Sequence, residues 1–197
     1  MPHSFLCGNF FGDFMIFYTF TDEKAPRQIQ HDTAYKLLDT ALKQLYEIEN
    51  YTLEYGSRGK PYLAEYPQIH FNISHCTGLA VCAVAESEIG IDAELIRPYN
   101  GKAARRIFSP AEIDFVKSSS CPDESFFRVW TLKECLGKYL GTGLSSSMPD
   151  YEFSFANENP ICSMYPEKIF TQKILHKKWV VSICADNPND CFTEIKY

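Results

Sequence analysis

The sequence predicts an α+β chain built as two similar halves, about 1–98 and 99–197, forming one continuous unit around a shared cleft. Three observations carry this. The 197 residues are 45% apolar and 15% aromatic, ample for a buried core and unlike a disordered chain. Alternating strand patterns are interleaved with helical stripes. Finally, "GLAVCAVAE" (78–86) and "KWVVSICAD" (178–186) share length and apolar character, each following a helix and an alternating strand. Such an echo reads as two related α+β units.

The elements follow in order. "DFMIFYTF" (13–20) reads as a buried strand. A helix is expected over 32–45, with Asp32 as its N-cap and Tyr35, Leu38, Leu42 and Leu45 as its stripe. Two glycines and a proline make "YGSRGKPYL" (55–63) a turn. "IHFNIS" (69–74) alternates as a strand, and the unbroken apolar run 78–86 suits a strand buried on both faces. "EIGIDAEL" (88–95) is the next strand. Ser109-Pro110-Ala111-Glu112 opens a helix with a capping box and proline at its first position. "ESFFRVWTLKECLGKYL" (124–140) is a further helix, ended by Gly141 and Gly143. "YEFSF" and "KKWVVSICAD" are later strands.

Composition narrows the function. A net charge of −6 disfavours nonspecific nucleic-acid binding. No stretch reads as a membrane span, and no signal peptide is recognised, so a cytoplasmic protein is expected. Eight cysteines without a CxxC pair, several in apolar periodic segments, read as free thiols. "GKAARRIF" (101–108) places Lys102, Arg105 and Arg106 together, either as a solvated helix face or as a docking patch for an acidic partner.

The chemistry starts at Asp92 and Glu94. On a strand, residues two apart leave the same face. At about 5 Å and an effective dielectric near 20, their repulsion is roughly 3 kcal/mol, so a sheltered strand needs a cation there. On the 124–140 helix, Trp130, Glu134 and Lys138 stand at i, i+4 and i+8, on one side. Alone, Glu134 and Lys138 are an ordinary surface pair; Trp130 suggests partial burial. A third carboxylate, Glu134, can then join Asp92 and Glu94 around one ion. Oxygen-only ligands suit Mg²⁺ bridging substrate phosphates.

"RGKP" (58–61), "FNISH" (71–75), "GIDAE" (90–94) and "WTLKECLGKYLGTGLS" (130–145) occur in this order. The chain resembles the 4′-phosphopantetheinyl transferases, specifically the larger, two-halved, surfactin-synthetase-activator type, over about residues 55–155. The resemblance implies antiparallel strands packed with helices, halves related by a pseudo-twofold, and an active site at their interface. It implies transfer of the phosphopantetheine arm of coenzyme A to a serine of an acyl or peptidyl carrier protein, with release of adenosine 3′,5′-bisphosphate. Asp92, Glu94 and Glu134 would hold Mg²⁺, with Mn²⁺ an alternative. Arg58, Gly59, Lys60, Asn72, Ser74 and His75 would face the coenzyme A phosphates and nucleotide, and Lys138 the pyrophosphate. Glu134 is the expected base, and Lys133 is placed with coenzyme A or solvent. His75 without its surrounding motif reads as a turn residue, and Lys60 as a turn lysine.

Relatives usually carry an arginine on the first helix that helps hold the nucleotide. This chain offers Tyr35-Lys36 there, with Arg27 upstream, and Lys36 is the candidate substitute. Half-length relatives assemble as trimers; a two-halved chain is expected to be a monomer. For the carrier, the 102–106 basic patch and the apolar loop residues near Phe126 and Phe127 compete as landing sites. Two other readings stand beside transfer: a metal-dependent phosphohydrolase acting on coenzyme A or nucleotides, and a non-catalytic carrier- or coenzyme-A-binding module.

Overall fold

The structure, a computed structural model, describes residues 14–143, 145, 147–155, 159–187 and 191–197. Asp13 of the first expected strand, Cys7, and Leu144 of the last motif lie outside the described residues. Strands are β1 (Phe14–Phe20), β2 (Leu53–Tyr55), β3 (Pro61–Leu63), β4 (His70–Cys76), β5 (Leu79–Ala85) and β6 (Gly90–Leu95) in the first part of the chain. They continue as β7 (Phe153–Ser154), β8 (Ile161–Cys162), β9 (Ile169–Leu175), β10 (Trp179–Ala185) and β11 (Phe192–Glu194). The helices are α1 (Arg27–Tyr46), α2 (Gly101–Ile107), α3 (Pro110–Ser118) and α4 (Pro122–Tyr139).

Four layers result. Sheet β11-β1-β5-β4 carries α1 on one face, and sheet β6-β10-β9 carries α4 on one of its own. The sheets meet through their remaining faces: Ile16, Val81 and Ala83 of the first pack with Ile91, Ala93, Val181 and Ile183 of the second. This explains the two unbroken apolar runs. Every residue of β5 and of β10 is buried, since each central strand has a helix on one side and a sheet on the other. β1, β4 and β5 pair antiparallel, as do β6, β9 and β10, while β11 joins β1 in parallel.

The sheets do not divide at residue 98. β6 precedes it yet pairs with β10, and β11 returns from the far end of the chain to β1. Each sheet therefore takes a strand from the other side of that position.

The start of α1 differs from expectation. It begins at Arg27 behind Pro26, whose φ of −54° is already near helical, and no side chain caps it. Asp32 lies inside the helix, accepting from Gln28 Nε2 at 2.8 Å. The buried stripe is Ala34, Leu37, Leu38, Ala41, Leu42 and Leu45; Tyr35 sits half-buried at its margin. At α3 the expected box forms: Ser109 Oγ accepts from Glu112 N at 3.2 Å, and Glu112 Oε2 from Ser109 N at 2.7 Å. The 55–63 turn becomes a hairpin of β2 and β3. The seven described cysteines are free thiols.

Candidate active site

Strands β4 and β6, the facing edges of the two sheets, run side by side without a backbone ladder between them. Side chains of β4 take over that task. Asn72 Oδ1 accepts from Ile91 N at 3.0 Å, and Ser74 Oγ from Ala93 N at 3.3 Å. The i, i+2 spacing of Asn72 and Ser74 matches that of Ile91 and Ala93, so both side chains bridge from one face of β4. "FNIS" and "GIDA" are thus the two edges of a seam. Buried backbone donors left unpaired would be costly there, which accounts for polar residues inside an apolar strand.

This corrects the expected role of Ser74. It is buried and committed to β6: besides accepting from Ala93, it donates to Asp92 Oδ1 at 2.8 Å. Ser74 orients the carboxylate. Asn72 borders the cleft, but its carbonyl oxygen is engaged by Ile91.

Helix α4 closes on β6 at Gly90. A Cβ built there would lie 2.0 Å from the Cys135 carbonyl oxygen and 2.6 Å from Tyr139 N. Only glycine permits that approach. Asp92 and Glu94 share the face of Gly90, so the approach brings them to Glu134 and Lys138 of α4. Lys138 Nζ donates to Asp92 Oδ1 at 2.8 Å, to Ile91 O at 3.0 Å and to Ile73 O at 3.4 Å, tying the seam to the helix. A second close contact shapes the far side: at Gly137 a Cβ would meet Gly143 O at 2.7 Å, and Thr142 N and Gly143 N donate to Gly137 O. The loop after α4 is thereby folded against the helix end.

The three acids differ in their partners. Asp92 Oδ1 is satisfied by Ser74 and Lys138, while its buried Oδ2 has no hydrogen-bond partner. Glu94 Oε2 accepts from Arg97 Nη1 at 2.7 Å, and burial raises its carboxyl above the usual range against the pull of Arg97. The Glu134 side chain makes no hydrogen bond or ion pair among the described residues. Burial first, then the Asp92 charge, push its carboxyl up to about 7, with Lys138 opposing and Glu94 adding. No group of three or more His, Cys, Asp or Glu side chains among the described residues is gathered to hold a metal ion. Lys138 pairs with Asp92 and Arg97 with Glu94. In kind, however, the set fits a hard cation. It is all oxygen, one oxygen is buried and orphaned, and one carboxyl is short of positive charge.

A cleft of about 260 Å³ opens beside these residues, lined by Tyr35 of α1, Arg58, Gly59, Lys60, Asn72, Gly137, Lys138, Gly141 and Gly143. Its lining comes from α1, the turn between β2 and β3, strand β4, and the end of α4 with the loop after it. Lys60 Nζ reaches Glu88 Oε2 at 2.5 Å, Tyr139 O at 3.3 Å and Ile89 O at 3.4 Å. A larger hollow of about 400 Å³, at Tyr46, Ile48, Tyr66 and Ile69, lies away from the acids and contains no catalytic constellation.

His75 is half-buried, its ring centroid 5.8 Å from that of His31. Burial, then His31, Arg27 and Lys138, hold its imidazole below the ordinary range, with Asp92 opposing. Arg27, His31 and Tyr35 stand at i, i+4 and i+8 on α1, so one helix side supplies this positive surrounding. Lys36, the expected substitute cation, is exposed one position off that side. Sequence reading missed His31 because it started the helix five residues late.

One further expectation is corrected. Lys133 faces neither coenzyme A nor solvent: it is 0% exposed and pairs with the equally buried Glu112 at 2.8 Å. Its ammonium also donates to Met148 O at 2.7 Å and Tyr151 O at 3.0 Å. Phe126 and Phe127 themselves are both 3% exposed, within the core beside α3. Trp130 is half-buried and stacks on Phe126.

Comparisons with known proteins give the family. The sequence model of the 4′-phosphopantetheinyl transferase superfamily matches residues 88–184, a span that contains β6 and α4 and all of β10 but its last residue. A 4′-phosphopantetheinyl transferase of Bacillus subtilis is 30% identical over 164 residues, covering 79% of this chain and 73% of its own. The 4′-phosphopantetheinyl transferase Sfp of Bacillus subtilis (strain 168) is 25% identical over 162 residues, covering 78% and 72%. HetI, a 4′-phosphopantetheinyl transferase of a Nostoc species, is 41% identical over 102 residues, covering 47% and 42%. With its acids and lysine assembled on β6 and α4, the chain belongs to the 4′-phosphopantetheinyl transferase superfamily.

Proposed function

We propose that the protein transfers the 4′-phosphopantetheine moiety of coenzyme A to a serine hydroxyl of an acyl or peptidyl carrier protein, releasing adenosine 3′,5′-bisphosphate. The observation that carries this is Glu134, a carboxyl pushed up to about 7 by burial and by Asp92, whose own buried Oδ2 is orphaned and whose partner Lys138 lines an open cleft.

Asp92, Glu94 and Glu134 would hold Mg²⁺, or Mn²⁺ in its place. When bound, the ion neutralises pyrophosphate charge and orients the phosphates. The rest falls to the chain. The serine oxygen forms a bond to the phosphorus that carries the pantetheine arm, and the bond from that phosphorus to the bridging oxygen breaks. Glu134 takes the serine proton; a base poised near the working pH is well matched to that task. Lys138 stabilises the departing nucleotide phosphate as a compact point charge. Lys60, Arg58, Gly59 and His75 face the coenzyme A phosphates, and the Arg27–His31 side of α1 supplies the positive surrounding. Ser74 fixes Asp92, and Asn72 holds the seam.

The carrier lands on α2. Lys102, Arg105 and Arg106 are exposed and make no side-chain ion pair among the described residues, and carriers of this kind are acidic. Because one chain supplies both sides of the cleft, we expect a monomer. No helix among the described residues is long and apolar enough to cross a membrane.

Intact-mass measurement of several apo-carriers after incubation with coenzyme A and Mg²⁺ tests the proposal. A gain of one phosphopantetheine on the carrier is expected. Free phosphopantetheine with an unchanged carrier would replace transfer by hydrolysis, and binding without either product would leave a non-catalytic module.

A further inference from the structure

Glu94 is already occupied. Arg97, three residues on, donates Nη1 to Glu94 Oε2 at 2.7 Å and to the Leu95 carbonyl at 2.9 Å. Its guanidinium carbon lies 4.6 Å from the centre of the Phe127 ring, and Phe127 is fixed in the core on α4. Pro98 follows, which keeps the Arg97 backbone extended. Backbone carbonyl, aromatic face and carboxylate together make this a placed side chain, although it is half exposed. Releasing Glu94 would cost it one of three anchors, and the other two would keep the guanidinium where it is.

We propose that Arg97 is a built-in counter-ion that competes with the divalent cation for Glu94 and so sets how tightly the metal binds. The inference rests on the metal reading above. Without metal, two internal cations share the acidic cluster: Lys138 holds Asp92 and Arg97 holds Glu94. Lys138 sits deep at the seam, on two backbone carbonyls, and is needed there. Arg97 stands at the rim, and water can take its place on Glu94. The device keeps Asp92 and Glu94 from repelling each other before the ion arrives, and it weakens the site for that ion afterwards. The acids could otherwise retain a divalent cation between turnovers.

Titration of the metal-free protein with Mn²⁺ alone, followed by the electron paramagnetic resonance signal of free Mn²⁺, tests this without turnover. Arg97→Gln should bind Mn²⁺ about two- to fivefold tighter than the wild type, the factor that an exposed ion pair is worth. Arg97→Lys, which keeps the charge, should fall between them. Unchanged or weaker binding by Arg97→Gln, with the wild-type thermal midpoint retained, overturns the counter-ion. Asp92→Asn separates the two levels. If it leaves Mn²⁺ binding intact, or if no variant binds Mn²⁺, the metal reading itself fails. If it abolishes binding while Arg97→Gln gains nothing, only the counter-ion fails.

Discussion

Helix α4 carries two lysine–carboxylate pairs of the same length, and they behave as opposites. Lys133 meets Glu112 at 2.8 Å with both side chains fully buried; Lys138 meets Asp92 at 2.8 Å at the edge of a cleft. Around the first, each oxygen of Glu112 has a backbone donor, Ser109 N or Phe153 N, and the ammonium has two carbonyls besides. Around the second, Asp92 keeps one buried oxygen with no partner. A completed pair pins α3, α4 and the chain entering β7 together. An incomplete pair leaves capacity for a ligand. Satisfaction of the remaining donors and acceptors, rather than distance, separates scaffold from site.

The contrast can be broken in four ways. The largest effect is expected from Lys133→Ala. It strands a buried carboxylate and should cost about 3–5 kcal/mol in urea unfolding. A loss below about 1 kcal/mol would mean the pair is not the scaffold described. Glu134→Ala should leave folding intact and lower kcat for carrier modification by about 10²–10⁴, the range for a general base; retained turnover would remove Glu134 from its role.

The third concerns pH. Glu134 has a raised folded value, about 7 against an ordinary 4.5. Between those values the folded state holds the extra proton, so stability falls as pH rises from about 4.5 to 7. In chelator, Glu134→Gln should flatten that slope and be about 1–3 kcal/mol more stable than wild type at pH 8. An unchanged pH profile would show that the carboxyl is not sheltered. The smallest effect is at the rim. Arg105→Glu with Arg106→Glu should raise the KM for carrier severalfold, about 1 kcal/mol, with coenzyme A binding unchanged; unaltered carrier kinetics would move the dock elsewhere.

Much of the scaffold was readable along the chain. The unbroken run 78–86 predicts a strand covered on both faces, found at Leu79–Ala85, and Ser109-Pro110-Ala111-Glu112 predicts its helix, because both signals are local. The candidate acids are proposed from like charges on one strand face and a tryptophan-marked helix side. What was lost depends on distant partners. Nothing within "WTLKECLGKYL" tells Lys133 from Lys138, since Glu112 lies 21 positions before the one and Asp92 46 before the other. The bridging by Asn72 and Ser74 needed the knowledge that β4 and β6 lie alongside without pairing. Pro26 as the start of α1 was overlooked because Asp32 is the better cap by residue type, and with it went the Arg27–His31 approach to His75.

The exchange of edge strands has a practical consequence. A chain cut between residues 98 and 101 yields one piece that carries β6 without β10, and another that carries β11 without β1. Each fragment would own a ribbon whose ladder is supplied by the other, so the pieces are built for mutual complementation. Fused to two interacting proteins, they should regain transfer only on contact, a reporter whose output is a labelled carrier.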